Sequence, residues 1–177
     1  LRDIWTARRE RRGEPEVKIE YHEDVNAPAE FVYRRLTDVA RHERQAQARG
    51  ATVTRVGAGT AVVAGAEWDI AFDYRGRRRE GKVAIAGLTP PQRIVLDASS
   101  GGLDIRIVIS LVALSPRITR VQVSANLVAR TITAKLLVQS LRLAHGSVTS
   151  RLQRRLRGMC DEIETAYARR QADREAT

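Results

Sequence analysis

Few side chains in this chain are suited to acid–base or binding chemistry, and they fall in few places. His145 shares a helical sector with Leu141 and Val148 and lies at its edge. There an imidazole could act as a general base or as a hydrogen-bond partner for a ligand, or simply pack half exposed. Trp68, Ile70, Phe72 and Tyr74 sit at alternate positions, which puts them on one face of a strand. The chain has only two Phe, two Trp and four Tyr, so that face concentrates the aromatics. Trp68 or Tyr74 would offer it one polar contact. Glu67, Asp69 and Asp73 take the opposite face. Three carboxylates at that spacing could hold a cation, but cross-strand pairing with Arg77, Arg79 or Arg106 is the simpler expectation, and Asp97 reads the same way.

Other chemistries find less support. His22 and His42 stand far from His145 in polar surroundings, so no three-histidine metal site is expected. Cys160 is the single cysteine, which excludes an internal disulfide and a cysteine-rich metal site. It has no paired base nearby and reads as inert packing beside Met159. Gly57-x-Gly59 and Gly101-Gly102 do not open helices, so no phosphate cradle is expected. No Ser-His-Asp arrangement can be read from the spacings. No catalytic residue, metal or cofactor is therefore assigned.

The charge points outward. Lys and Arg together number 31 and Asp and Glu 21, a formal net charge of +10. Such a balance favours anionic partners, whether nucleic acid, acidic lipid or acidic protein. Only Lys18, Lys82 and Lys135 are lysines, so the excess is arginine along the whole chain. Two clusters stand out, Arg77-Arg78-Arg79 and Arg151-Arg154-Arg155-Arg157. They could grip phosphate in RNA or in the headgroups of an acidic membrane. The aromatic interleaving of a single-strand binder is missing around them, so a solvated basic face is the expectation.

The elements that must position these residues follow from periodicity. The 177 residues suit one domain. Residues 17–23 alternate as a half-buried strand. Pro28, following Asn26-Ala27, opens a helix with Phe31, Val32, Leu36 and Val39 on its buried side, and a second short helix ends at Gly50. From Ala51 to Leu127 the period is two: about six antiparallel strands, with a short one expected at Ala61–Ala64. After Arg130 the period returns to 3.6. Leu137, Leu141, Ala144, Val148, Leu152, Leu156, Met159 and Ile163 form one apolar stripe on one long helix. No run approaches the ~18 apolar residues of a spanning helix. The first residues lack the apolar core of a secretory signal. An antiparallel sheet wet on one side needs a cover on the other, and the long helix can supply it. A bent sheet leaves an apolar gap beneath such a helix, where small molecules bind.

Several segments also resemble a known family. Val25-Asn26-Ala27-Pro28-Ala29-Glu30-Phe31-Val32-Tyr33 and Leu36-Thr37-Asp38 look like the opening of START-like, or SRPBCC, domains. Leu88-Thr89-Pro90-Pro91-Gln92-Arg93-Ile94-Val95 resembles the family's turn between central strands, and Thr119-Arg120-Val121 the strand before its last helix. Where many members carry an aromatic or Pro-Trp pair after the first helix, this chain has Arg41-His42-Glu43-Arg44.

The resemblance implies an α+β helix-grip fold: a seven-stranded antiparallel sheet curved around a long C-terminal helix, with two short helices after the first strand and a cavity between sheet and helix. Residues 1–15 would be a basic extension, 16–168 the domain and 169–177 a frayed polar tail. The cavity would be lined by Trp68, Ile70, Phe72, Tyr74, Ile85, Leu96, Ile107, Val123, Leu141, His145 and Val148. The expected function is binding or transport of an apolar lipid, quinone or polyketide-like molecule. The alternatives are a cyclase- or hydrolase-type enzyme using the same cavity, or a basic surface binding RNA, the ribosome or an acidic membrane. A cytoplasmic location is expected, with peripheral membrane contact through the arginine clusters as the variant.

Overall fold

A computed structural model describes residues 16–74, 76–143 and 145–176. The expected basic extension, residues 1–15, lies outside the described residues. Strand β1 (Glu16–Val25) leads into helices α1 (Ala29–Leu36) and α2 (Val39–Ala48). Strands β2 (Thr52–Val56), β3 (Glu67–Tyr74), β4 (Arg77–Thr89), β5 (Arg93–Ser100), β6 (Leu103–Ser115) and β7 (Ile118–Ala129) follow. Helices α3 (Ile132–Leu143) and α4 (His145–Glu175) close the order. The seven strands form one antiparallel sheet in the order β1-β7-β6-β5-β4-β3-β2. The first strand thus crosses to pair with the last, and the hairpins fill the space between. This is the α+β helix-grip architecture that the sequence predicts.

Local chemistry sets the boundaries. Pro28 stands at the extended N-cap of α1, where its missing N–H costs nothing. Asp38 caps α2 by accepting the Arg41 N–H at 3.1 Å. Gly50 ends the helical stretch at φ 85°, a left-handed conformation that glycine adopts without a Cβ penalty. Thr119 is fully buried in β7, and its hydroxyl donates to the Ala27 carbonyl at 2.7 Å, tying the last strand to the entry of α1.

Two apolar clusters hold the cover to the sheet. The larger joins Val25, Phe31, Val32, Ile94, Leu111 and Val121 to Leu156, Cys160 and Ile163 of α4. The smaller places Ala134 and Val138 of α3, with Leu141 beside them, on Val17, Leu127 and Ala129. The single stripe expected across both helices is therefore divided. The α3 span buries positions 134 and 138 and half-buries 141, which leaves Leu137 45% exposed. The α4 span buries its face from Leu156 onward, and Leu152 is 43% exposed.

Two further expectations differ from what is found. Residues 61–64 form no strand; instead Gly65 N–H donates to Ile85 O at 2.7 Å and Ile85 N–H to Ala66 O at 2.9 Å. The Arg55 guanidinium holds the same loop through the carbonyls of Thr60 and Ala61. Helix α4 also continues to Glu175, past Arg169, where the frayed tail is expected to begin. Arg170 lies over the Phe31 ring at 5.9 Å, which gives that last stretch a partner on α1.

Of the acidic residues on β3 and β5, Asp69 and Asp97 form cross-strand ion pairs, Asp97 with an expected partner and Asp69 with an unexpected one. Register sets Asp69 opposite Lys82, and they form an ion pair at 2.8 Å. Asp97, 3% exposed, lies opposite Arg106 and accepts both arms of its fork at 2.8 and 2.7 Å.

Candidate functional site

An apolar cavity of about 350 Å³ lies between the sheet and α2. The sheet supplies its floor. Register places Val53 beside Ile70, Ile94 beside Ile109, and Trp68 beside Val83 on one face. Simple alternation along β4 would turn Leu88 away from Val83 and Ile85. A bulge between Ile85 and Gly87 resets the phase, and Leu88 joins them on the cavity side. The roof comes from α2, where Val39, His42, Glu43 and Ala46 recur at helical spacing and form one face. Leu36 and Thr37 close the end nearest α1, and Met159 is the one contribution of α4.

Of the residues expected to line a cavity, the structure brings together Trp68, Ile70, Ile85 and Leu96. Phe72 follows on the same face of β3, but β2 stops pairing at Ala71 and Phe72 does not border the cavity. Ile107 faces the same way as its partner Leu96, yet lies between the two apolar clusters and outside the cavity. Val123 packs on the larger cluster and Leu141 on the smaller. The side chains of Tyr74, His145 and Val148 lie outside the described residues. The roof is thus α2 rather than the C-terminal helix. Its residues are those that sequence reasoning passed over, although Val39, His42 or Glu43, and Ala46 carry a readable three-and-four spacing.

The polar groups at this cavity are few and mostly engaged. The Trp68 indole N–H donates to Glu43 Oε1 at 2.6 Å, so it is not free to orient a ligand. Arg55, directly opposite Trp68 in the register, places its guanidinium 5.0 Å from the ring centre. The Thr37 hydroxyl donates back to Tyr33 O at 2.9 Å. His42 differs. Its Nε2 lies 3.1 Å from Leu36 O, a carbonyl that can only accept, so Nε2 carries the proton. In that tautomer Nδ1 keeps its lone pair and can accept a hydrogen bond at the cavity wall.

A second depression, about 370 Å³, adjoins the first. It lies between α2 and α4 and is bordered by Arg35, Arg41, Arg49, Arg154 and Arg155, with Glu162 as its acidic member. Leu36, His42 and Met159 border both spaces. The other arginine cluster behaves as expected: Arg77, Arg78 and Arg79 are exposed on β4. Cys160 is buried, and its thiol is pushed up to about 12, first by burial and then by the carboxylates of Glu23, Asp161 and Glu164. It faces the core and borders neither cavity. Among the described residues no group of three or more His, Cys, Asp and Glu could hold a metal ion, and no helix is long and apolar enough to cross a membrane.

The chain has the helix-grip fold of the START-like, or SRPBCC, proteins, with an apolar cavity between the sheet and its helical cover. No family model matches the sequence, and no curated protein matches it. Solved structures do. It resembles norcoclaurine synthase from Thalictrum flavum, a point mutant in complex with a transition-state analogue, with TM-score 0.66, 11% identity, and coverage of 89% of this chain and 99% of that one. The ZhuI aromatase/cyclase from Streptomyces sp. R1128 gives TM-score 0.61 and 16% identity over 84% of this chain and 94% of that one. Ara h 8.0201 gives 0.57 and 14% over 85% and 97%.

Proposed function

We propose that this protein binds an apolar small molecule in the cavity between the sheet and α2, as a carrier or binding module. One observation carries the reading: a 350 Å³ space whose walls are almost entirely aliphatic or aromatic and whose few polar groups are mostly paired internally. The volume falls within the range of small-molecule sites. Binding would be driven by desolvation, at about 0.8 kcal/mol per buried methylene. A lipid, a quinone or a polyketide-like ring system would each satisfy that chemistry.

The test fills the space. Ala46, half buried on the roof, becomes Trp in Ala46→Trp. Native mass spectrometry with organic extraction should find a bound apolar molecule on the parent protein, or uptake of an added one, and neither on the variant, with circular dichroism unchanged. Equal uptake by both would remove the cavity from the function. A second reading, an acid–base enzyme of the cyclase type, rests on His42 Nδ1 at the wall. On that reading His42→Gln abolishes turnover while uptake persists. Turnover that survives the change excludes His42 as the base.

A further inference from the structure

We infer that the ligand is an amphiphile with an anionic end, its apolar body in the cavity under α2 and its carboxylate or phosphate in the arginine-lined groove between α2 and α4. The inference rests on the proposed apolar binding and adds the chemistry of the ligand's other end.

The groove is built for negative charge. Five guanidinium groups border it against one carboxylate. Glu162 is already committed to Arg41 at 2.6 Å, with the Gln45 amide donating to the same oxygen at 3.4 Å. Among the described residues the guanidinium groups of Arg49, Arg154 and Arg155 have no hydrogen-bond or ion-pair partner. Arg35 Nε is buried and donates to nothing among them. A buried donor left unmet is costly, and like charges gathered around one space repel. An oxyanion relieves both, and the planar fork of arginine matches a carboxylate or phosphate through paired N–H bonds. The groove, about 370 Å³, has room for such a group with bridging water. A free inorganic anion would explain the arginines but leave unexplained why the groove shares Leu36, His42 and Met159 with an apolar cavity. A ligand that lies across those three side chains uses both.

The experiment titrates the full chain with dodecanoate, dodecyl phosphate, dodecanol and inorganic phosphate by calorimetry, all below micelle concentrations. The two anionic amphiphiles should bind at least about tenfold more tightly than dodecanol, the scale of a charge-assisted hydrogen bond, and inorganic phosphate far more weakly than dodecyl phosphate. Arg154→Gln with Arg155→Gln should erase the preference while dodecanol binding persists; both side chains are exposed, so folding does not depend on them. Removing three charges elsewhere, with Arg77→Gln, Arg78→Gln and Arg79→Gln, should leave the preference intact. Equal affinity for dodecanol and dodecanoate would overturn the anionic end and leave the carrier reading standing. Loss of preference in the triple variant would reduce the effect to overall charge. Inorganic phosphate binding as tightly as dodecyl phosphate would make the groove a separate anion site. No binding of any dodecyl compound would overturn both readings.

Discussion

The residues of this cavity wall are fixed by partners before any ligand arrives. Trp68 is held from the edge by Glu43 and from the face by Arg55. Glu43→Ala would leave the indole N–H unmet at a site where Trp68 is 6% exposed, and thermal melting should show a loss of about 1–3 kcal/mol. Cys160 makes the opposite point, that a group with reactive chemistry can be silenced by its surroundings. With its pKa near 12, the thiolate fraction at pH 8.5 is on the order of a thousandth or less, against about half for an ordinary cysteine. Iodoacetamide at that pH should leave the folded protein unmodified and label it fully in denaturant, as read by intact mass. The same shift fixes a sign. The folded state holds this proton more tightly than the unfolded chain does, so the stability it contributes is complete below about pH 8.5 and declines as pH rises towards 12. In Cys160→Ala that alkaline decline should be weaker.

At the scale of elements, the strands were legible because a one-sided sheet writes itself as alternation. Trp68, Ile70 and Phe72 fall on one face and Asp69 and Asp73 on the other, as the spacing says. What alternation does not encode is where a strand stops being covered. Phe72 has the right phase but lies past the end of β2, and Ile107 has the right phase but lies between two packed clusters. The roof was hidden for a different reason. The sequence of α2, Val39–Ala48, is mostly charged and polar and buries no residue fully, so its apolar face of Val39 and Ala46 is too short to read as a cavity wall. The bulge at Ile85/Gly87 leaves no composition signal, yet it decides that Leu88 faces inward. The β5–β6 pair was readable, and its worth can be measured. Arg106→Ala would strand the buried Asp97 carboxylate and should cost about 3 kcal/mol in urea unfolding, whereas Lys82→Ala, at the exposed Asp69 pair, should change little.

Across the whole molecule the two ends of the cover are built differently. Helix α4 drives Leu156, Cys160 and Ile163 into the core beneath it, while α2 has no fully buried residue and rests on β2 and the cavity it roofs. Stability is therefore unequal over the cover: the β1–β7–β6 side is anchored by buried apolar clusters, whereas α2 is held over the β2–β3 side chiefly by polar contacts, Glu43 to Trp68 and Arg41 to Glu162. Hydrogen exchange should report this as a gradient. Amides of Arg44–Ala48 should exchange through local opening far faster than those of Cys160–Ile163, which wait for global unfolding. A molecule seated under α2 supplies the apolar contacts that the helix lacks, so occupancy should slow exchange there in proportion to affinity and leave the α4 amides unchanged. On the proposed binding, the rate at which one ten-residue helix trades its protons for deuterons would be a gauge of how full the protein is.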